Sequence, residues 1–369
     1  MIRYFGSTDV GKKRTNNQDA FNVRALSTGE ILAVLCDGMG GANAGNIASE
    51  IALDTFFEYI ETALTAYGAL TAGKTSAAGP EAEREEDGSS AKDEKPGEDD
   101  EGSDPQKAPI VSRISQIYPS VNYPALLESA AEEANQAVYN RSRSAPEYEG
   151  MGTTLVAALI RDGTLYCCNV GDSRLYLVQG DAIRQVTHDH SYVQYLVDIG
   201  RMTQEEAEQS PYKNIITRSI GREKNVFCDT YTVTLRAGAV APDEFTDTRE
   251  VLPAARAANE KRARSGVKSM RSSQSDDEDD AVKPIYVLLC SDGLTNYVSR
   301  DIMRGAVVGQ MTLGEPQKEK EGADAPARSG YAPADPTDLR SRVATLISSA
   351  NDGGGGDNIT AILIECEQE

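Results

Sequence analysis

Two six-residue apolar runs in this chain end in the same way. Ile31–Cys36 (ILAVLC) is followed directly by Asp37-Gly38, and Ile285–Cys290 (IYVLLC) by Ser291-Asp292-Gly293. Short unbroken apolar runs with β-branched content predict strands covered on both faces. Glycine beside the acid lets the backbone come close to whatever the carboxylate meets. The pattern returns twice more: LYCCNVG leads to Asp172, and GGGGDN sets Asp357 at the entrance of ITAILI. In antiparallel sheets the start of one strand lies beside the end of its neighbour, so four carboxylates from distant parts of the chain can share one rim. A single aspartate after a strand is ordinarily a turn residue. Four, each beside glycine and each against a buried run, are a much stronger constraint.

The remaining pattern supplies the frame around that rim. TTLVAALIRDGTLYCCNV reads as two strands turning at Asp162-Gly163, and SRLYLVQGDAIRQV as a second pair turning at Gly180-Asp181. NITAILIECE is a terminal strand. From Ala44, the residues Ile47, Ile51, Phe56, Tyr59 and Ile60 make one helical stripe. Pro124 can open a second helix through Leu127, Ala131, Ala134 and Val138. Leu339, Val343, Leu346 and Ile347 make a third, capped by Thr337 or Asp338. Hairpins with few, long helices predict an α+β fold on antiparallel sheets, and no regular βαβ alternation points to a doubly wound one.

Three polar stretches, near 68–108, 246–283 and 314–336, carry many charges, Gly, Ser and Pro and little to bury. Such segments cannot offset their ordering entropy, so they are expected to be disordered inserts. Without them roughly 260 residues remain, a size suited to one domain. The 369-residue chain has a formal net charge of −21, which excludes general affinity for nucleic acid or anionic lipid. No apolar run approaches the roughly 18 residues of a membrane span, and MIRYFGSTDVGKK lacks a secretory apolar region. Most of the six cysteines sit inside apolar runs, as reduced buried thiols do, and a cytoplasmic location is expected.

The glycines of CDGMGGANAG raise a phosphate-cradle reading for Asp37. Gly38, Gly40 and Asn43 do not complete a dinucleotide fingerprint, no P-loop lysine follows, and the EF-hand spacing fails. Clustered carboxylates repel by roughly 4 kcal/mol per pair at about 4 Å and an effective dielectric near 20, so they protonate or hold cations. The two histidines, His188 and His190, and the cysteines are not spaced for zinc. All-oxygen ligation suits Mg²⁺ or Mn²⁺. Asp37 is therefore a better candidate for a metal ligand than for a neighbour of a bound nucleotide.

GKKRTNNQDAF, CDGMGGANAG, GMGTTLVAALI, VGDSRLYLV, THDHSYVQYLVDIGRMTQEEA, LLCSDGL and GGGGDNIT occur in an order that resembles the metal-dependent serine/threonine protein phosphatases of type 2C, in their bacterial form. The resemblance runs over the whole chain, broken by the three inserts. It implies a β-sandwich of two antiparallel sheets flanked by helix pairs, with a metal centre in a cleft at one end. By resemblance Asp37 bridges two metals and the Gly38 carbonyl joins the second. Asp292 and Asp357 bind the first metal, and Asp172 with Asp292 forms a third, weaker site. Asp19 holds water beside the metals, Arg14 grips the substrate phosphate, and the segment of about 188–222 resembles the flap beside the cleft. The implied partners are phosphoserine and phosphothreonine proteins, together with a serine/threonine kinase and its targets.

The sequence departs from the family pattern at Gln18, where some relatives have Glu, and at Met39, where animal enzymes have a histidine. The proton for the leaving alkoxide must then come from another group. His188 and His190 are expected to be structural, and Lys12 and Lys13 to form a solvated face. Two other readings compete: a binding module that has lost the metals, and a hydrolase of small phosphate esters. Asp37, Asp292 and Asp357 are all intact, which weighs against the first.

Overall fold

The computed structural model describes residues 1–40, 44–75, 121–236, 246–247, 283–310 and 338–367. The strands are β1 (Ile2–Asp9), β2 (Asp19–Ala25), β3 (Ile31–Met39), β4 (Gly152–Thr153), β5 (Leu155–Arg161) and β6 (Thr164–Val170). They continue with β7 (Arg174–Gln179), β8 (Ala182–Gln185), β9 (Asp229–Thr234), β10 (Thr246–Asp247), β11 (Ile285–Cys290) and β12 (Ile359–Cys366). The helices are α1 (Ala44–Thr75), α2 (Tyr123–Ser142), α3 (Tyr192–Asp198), α4 (Gln204–Gln209), α5 (Asp292–Thr295), α6 (Arg300–Val307) and α7 (Leu339–Asp352).

Alternation along the strands sorts these elements into four layers. On β3, Leu32, Val34 and Cys36 pack against α1 and α2, while Ile31, Ala33 and Leu35 face the opposite sheet. On β11, Ile285, Val287 and Leu289 point to the same inner layer, and Tyr286, Leu288 and Cys290 point outward against α6 and α7. Both faces are thus buried, which explains why these strands read as unbroken apolar runs. Each such Leu, Ile or Val contributes about 1.5–3 kcal/mol by leaving water. One sheet has the order β1-β12-β11-β7-β8, the other β10-β9-β6-β5-β3-β2, with β4 added beside β3. Every pairing is antiparallel. The α+β sandwich flanked by helices is therefore the observed architecture.

Local chemistry fixes the ends of the elements. Asp162 and Gly163 both have positive φ (48° and 69°), as the two-residue β5–β6 turn requires. The Asn122 side chain accepts the Ala125 amide at the start of α2, with Pro124 in its first turn. Asp338 caps α7 by accepting the Arg340 amide. All six cysteines are free, and five are buried. No helix among the described residues is long and apolar enough to cross a membrane.

Two insert boundaries need correction. The first insert was expected to begin near 68, but α1 continues through Thr75, since Ala and Leu after Gly68 keep helix propensity high. The second was expected from 246, yet Thr246 and Asp247 pair with Thr232 and Tyr231. Residues 76–108 and 248–282 of those stretches, and the insert at 314–336, lie outside the described residues. Residues 188–222 form a separate excursion containing α3 and α4. The Ser191–Ile216 bridge closes it on itself, and it is tied back by Thr153–Ile220, whose amides and carbonyls exchange bonds of 3.1 and 2.8 Å.

Candidate metal centre

The sheets bring the predicted aspartates to one end of the sandwich. Asp37 lies opposite Asp19 in the β2–β3 register, so both side chains leave the same face. Asp292 opens α5 immediately after β11, and Asp357 precedes β12. Those strands are paired up to Cys290–Ala361, which carries the two aspartates to neighbouring positions. Gly293 confirms how close they are: a Cβ there would lie 1.9 Å from the Asn358 carbonyl oxygen and 3.4 Å from the Asp357 Cβ. Asp172 follows β6, is buried, and lines one cavity of about 680 Å³ together with Asp292.

Electrostatics bind these residues into one group. Burial, followed by Asp19, Asp292, Asp172 and Asp357, raises Asp37 well above the ordinary carboxylate range. Burial pushes Asp19 up to about 7, against hydrogen bonds from Thr360 and Ser291 and with the charges of Asp292 and Asp357. Asp292 is pushed up to about 6 by burial and Asp357, against Arg174, Asn296 and Lys213. Asp172 is raised by burial and then by Asp292. The protein's own cations do not neutralise the cluster, which is the situation that favours a bound cation.

Asp19 shows which way the cluster is open. Its Oδ2 accepts Ser291 Oγ–H at 2.9 Å and Thr360 Oγ1–H at 2.6 Å. Its Oδ1 is buried and has no hydrogen-bond partner among the described residues. A bare carboxylate oxygen in an all-oxygen group fits a hard divalent cation and its waters. Among the described residues, no three His, Cys, Asp or Glu side chains close around one point as a single-ion cage. A pair of Mg²⁺-like ions does not need one, because such ions are held by one or two carboxylates and keep several waters.

Backbone geometry supports the same rim. Gly38 cannot carry a side chain: its Cβ would fall 2.2 Å from the Gly45 carbonyl oxygen and 2.6 Å from that of Gln18. Thr154 holds Asp37, accepting its amide at Oγ1 (2.9 Å) and donating its own amide to the Asp37 carbonyl (2.9 Å). Thr154 Oγ1 also lies 2.7 Å from Ser173 Oγ, next to Asp172. The Asn358 side chain accepts the Gln18 amide and donates to the Val10 and Asn16 carbonyls, which fastens the Arg14 loop to the start of β12. Arg14 Nη2 donates to Asp357 Oδ2 at 2.9 Å. This bond, then the charges of Asp357, Asp37 and Asp292, hold the guanidinium above its usual value.

All seven predicted site residues thus belong to this end of the molecule. Sequence reasoning missed Thr154, Ser173, Ser291, Thr360 and Asn358, which carry no charge. Of these, Ser173, Ser291 and Asn358 stood directly beside an aspartate of the glycine-aspartate motifs, while Thr154 and Thr360 did not.

The two histidines serve the scaffold. His188 Nε2 lies 2.7 Å from Asp198 Oδ2. His190 Nδ1 accepts the Gly171 amide at 3.0 Å, so the ring proton sits on Nε2, facing Asp229 Oδ2 at 3.1 Å. Arg218 Nη1 donates to Asp229 Oδ1 at 2.8 Å, closing a cluster at the base of the 188–222 segment.

Relatives share both sequence and fold. The protein phosphatase PhpP of Streptococcus pneumoniae is 29% identical over 363 residues, 98% of this chain and 96% of its own. The serine/threonine phosphatase Stp1 of Staphylococcus aureus is 25% identical, with a TM-score of 0.60 over 100% of this chain and 96% of its own. The catalytic domain of the serine/threonine phosphatase PstP, solved with two manganese ions, shares the fold at 23% identity, with a TM-score of 0.56 over 99% of each chain. The sequence profile of protein phosphatase 2C matches residues 10–311. With a helix-flanked double sheet gathering its aspartates at one edge and that profile spanning most of its length, this chain belongs to the protein phosphatase 2C family.

Proposed function

We propose that the chain is a metal-dependent protein serine/threonine phosphatase acting on phosphoserine and phosphothreonine, with Mn²⁺ or Mg²⁺ as cofactor. The observation that carries this reading is the convergence of Asp19, Asp172, Asp292 and Asp357 on Asp37 at one end of the sandwich. Asp37, the Gly38 carbonyl, Asp292 and Asp357 would hold two ions, and Asp172 with Asp292 would hold a third. When bound, the ions supply ionised water near neutral pH and offset charge on the phosphoryl oxygens.

The chain's own groups do the rest. Asp19 Oδ1 is free to accept a hydrogen bond and so orient the attacking water, while Ser291 and Thr360 fix its other oxygen. Arg14 is half-exposed at the rim, and its guanidinium fork has donors beyond the one spent on Asp357. Those donors suit two phosphoryl oxygens and align phosphorus for in-line attack. No nucleophilic Ser or Cys is required: Cys36, beside Asp37, is buried and its thiol is pushed far above the usual range. The natural counterparts are a serine/threonine kinase and its phosphorylated targets. The domain reading is one phosphatase unit with polar inserts.

The decisive assay is a Mn²⁺ titration with phosphoserine, phosphothreonine and phosphotyrosine peptides beside a small aryl phosphate. Metal-dependent turnover of the first two, with phosphotyrosine poor, is expected. Turnover confined to the small ester favours a small-molecule hydrolase, and no turnover at any metal concentration overturns the reading.

A further inference from the structure

A second cavity, of about 630 Å³, opens on the other side of the 213–218 stretch from the Asp172–Asp292 cleft. Met39, Ile215, Arg222 and Phe227 are among its walls. Met39 directly follows Gly38, so this cavity begins where the candidate metal rim ends.

Strand geometry places Arg222 there. Gly38 and Met39 pair with Thr153 and Gly152, and Thr153 in turn pairs with Ile220. Ile220 therefore sits about two strand spacings, roughly 10 Å, from the Gly38 backbone, and Arg222 lies two residues further along, roughly 12 Å away. Its stem lies across Gly152, where an added Cβ would come within 2.9 Å of Arg222 Cγ. The guanidinium is exposed and has no hydrogen bond or ion pair among the described residues. Arg218, the other arginine of this wall, is already committed to Asp229. Phe227 is 79% exposed and Ile215 48%, so Arg222 stands beside large apolar surface, with Glu223 the one acidic side chain among the lining residues of this cavity.

We propose that this cavity receives the residues flanking the phosphoresidue of a protein substrate, with Arg222 taking a carboxylate side chain and Ile215 and Phe227 an apolar one. The proposal rests on the phosphatase reading above and deepens it. Extended chain covers about 3.3–3.6 Å per residue, so the acidic residue lies about three positions from the phosphothreonine. The local cation lets an acidic chain select an acidic site, and the preference weakens with salt.

The test compares two phosphothreonine peptides, one with Glu and one with Lys at positions two to four from the phosphoresidue, on both sides in turn. Each kcat/KM is divided by that of a small aryl phosphate on the same protein. The parent is expected to favour the Glu peptide by about fivefold, Arg222→Lys to keep that preference, and Arg222→Glu to reverse it. An equal ratio for parent and Arg222→Glu overturns the proposal while leaving the phosphatase reading intact. Failure of the parent to hydrolyse both aryl phosphate and peptides overturns the two together.

Discussion

Asp19 and Asp37 stand directly opposite each other across the β2–β3 ladder, two carboxylates on one face of a sheet. Like charges in that arrangement are destabilising, and both groups are raised above their ordinary range. Asp37→Asn removes one of the repelling charges together with the proposed shared carboxylate. Turnover of a phosphothreonine peptide should fall below detection, and the rise in melting temperature on adding Mn²⁺ should be largely lost. In chelator the variant should melt no lower than the parent. Manganese-dependent turnover in Asp37→Asn would falsify the bridging role.

Arg14 offers a second handle, because its one side-chain bond among the described residues is to Asp357. Arg14→Ala should lower kcat/KM by about 10- to 100-fold, the scale of a lost charge-assisted hydrogen bond. Steady-state kinetics on an aryl phosphate measure it, and parent-like kcat and KM would remove Arg14 from phosphate binding.

Thr154 is buried and carries no charge, yet it holds the Asp37 backbone and meets Ser173. Thr154→Val keeps the shape and strands the Asp37 amide, at a cost of about 1–3 kcal/mol. Manganese affinity, read by calorimetric titration, should drop by about 10- to 100-fold, as it does when groups that orient metal ligands are removed. Unchanged affinity would show that the strand alone positions Asp37.

The His190–Asp229–Arg218 cluster gives a pH signature. Hydrogen bonds from His190 and Arg218 outweigh burial and hold Asp229 well below the ordinary carboxylate range. A depressed carboxylate stabilises fully above its unfolded pKa of about 4 and loses that contribution as pH falls through its folded value. Burial lowers His190, whose preference for the neutral form also weakens the fold as pH drops below about 6.5. Urea unfolding should therefore show Asp229→Asn less stable than the parent at pH 7 and at pH 5, with the gap closing only below about pH 4. A gap that closes between pH 7 and pH 5 would assign the effect to the histidine instead.

The polar inserts are predicted to be dispensable for chemistry. Replacing residues 80–108 with a short Gly/Ser linker is expected to change the cost of joining the flanking elements by only about 1 kcal/mol. Metal-dependent hydrolysis of an aryl phosphate should stay within twofold of the parent. A collapse of rate or yield would make that stretch part of the domain.

The primary structure alone determined the strands ILAVLC and IYVLLC, the Asp162-Gly163 turn, the three long helices and the acids at the strand ends. Each of these is written in local periodicity or turn chemistry, which neighbouring residues fix without help from the rest of the chain. Only the tertiary structure decided that Asp19 faces Asp37, that Ser291 and Thr360 close one oxygen of Asp19 and leave the other bare, and that Thr154 grips the backbone of Asp37. Those relations join residues from 18 to 341 positions apart, through sheet register and neutral hydroxyl groups. A serine or threonine in a sequence looks the same whether it solvates a loop or holds a carboxylate, and only the packing of both sheets tells which.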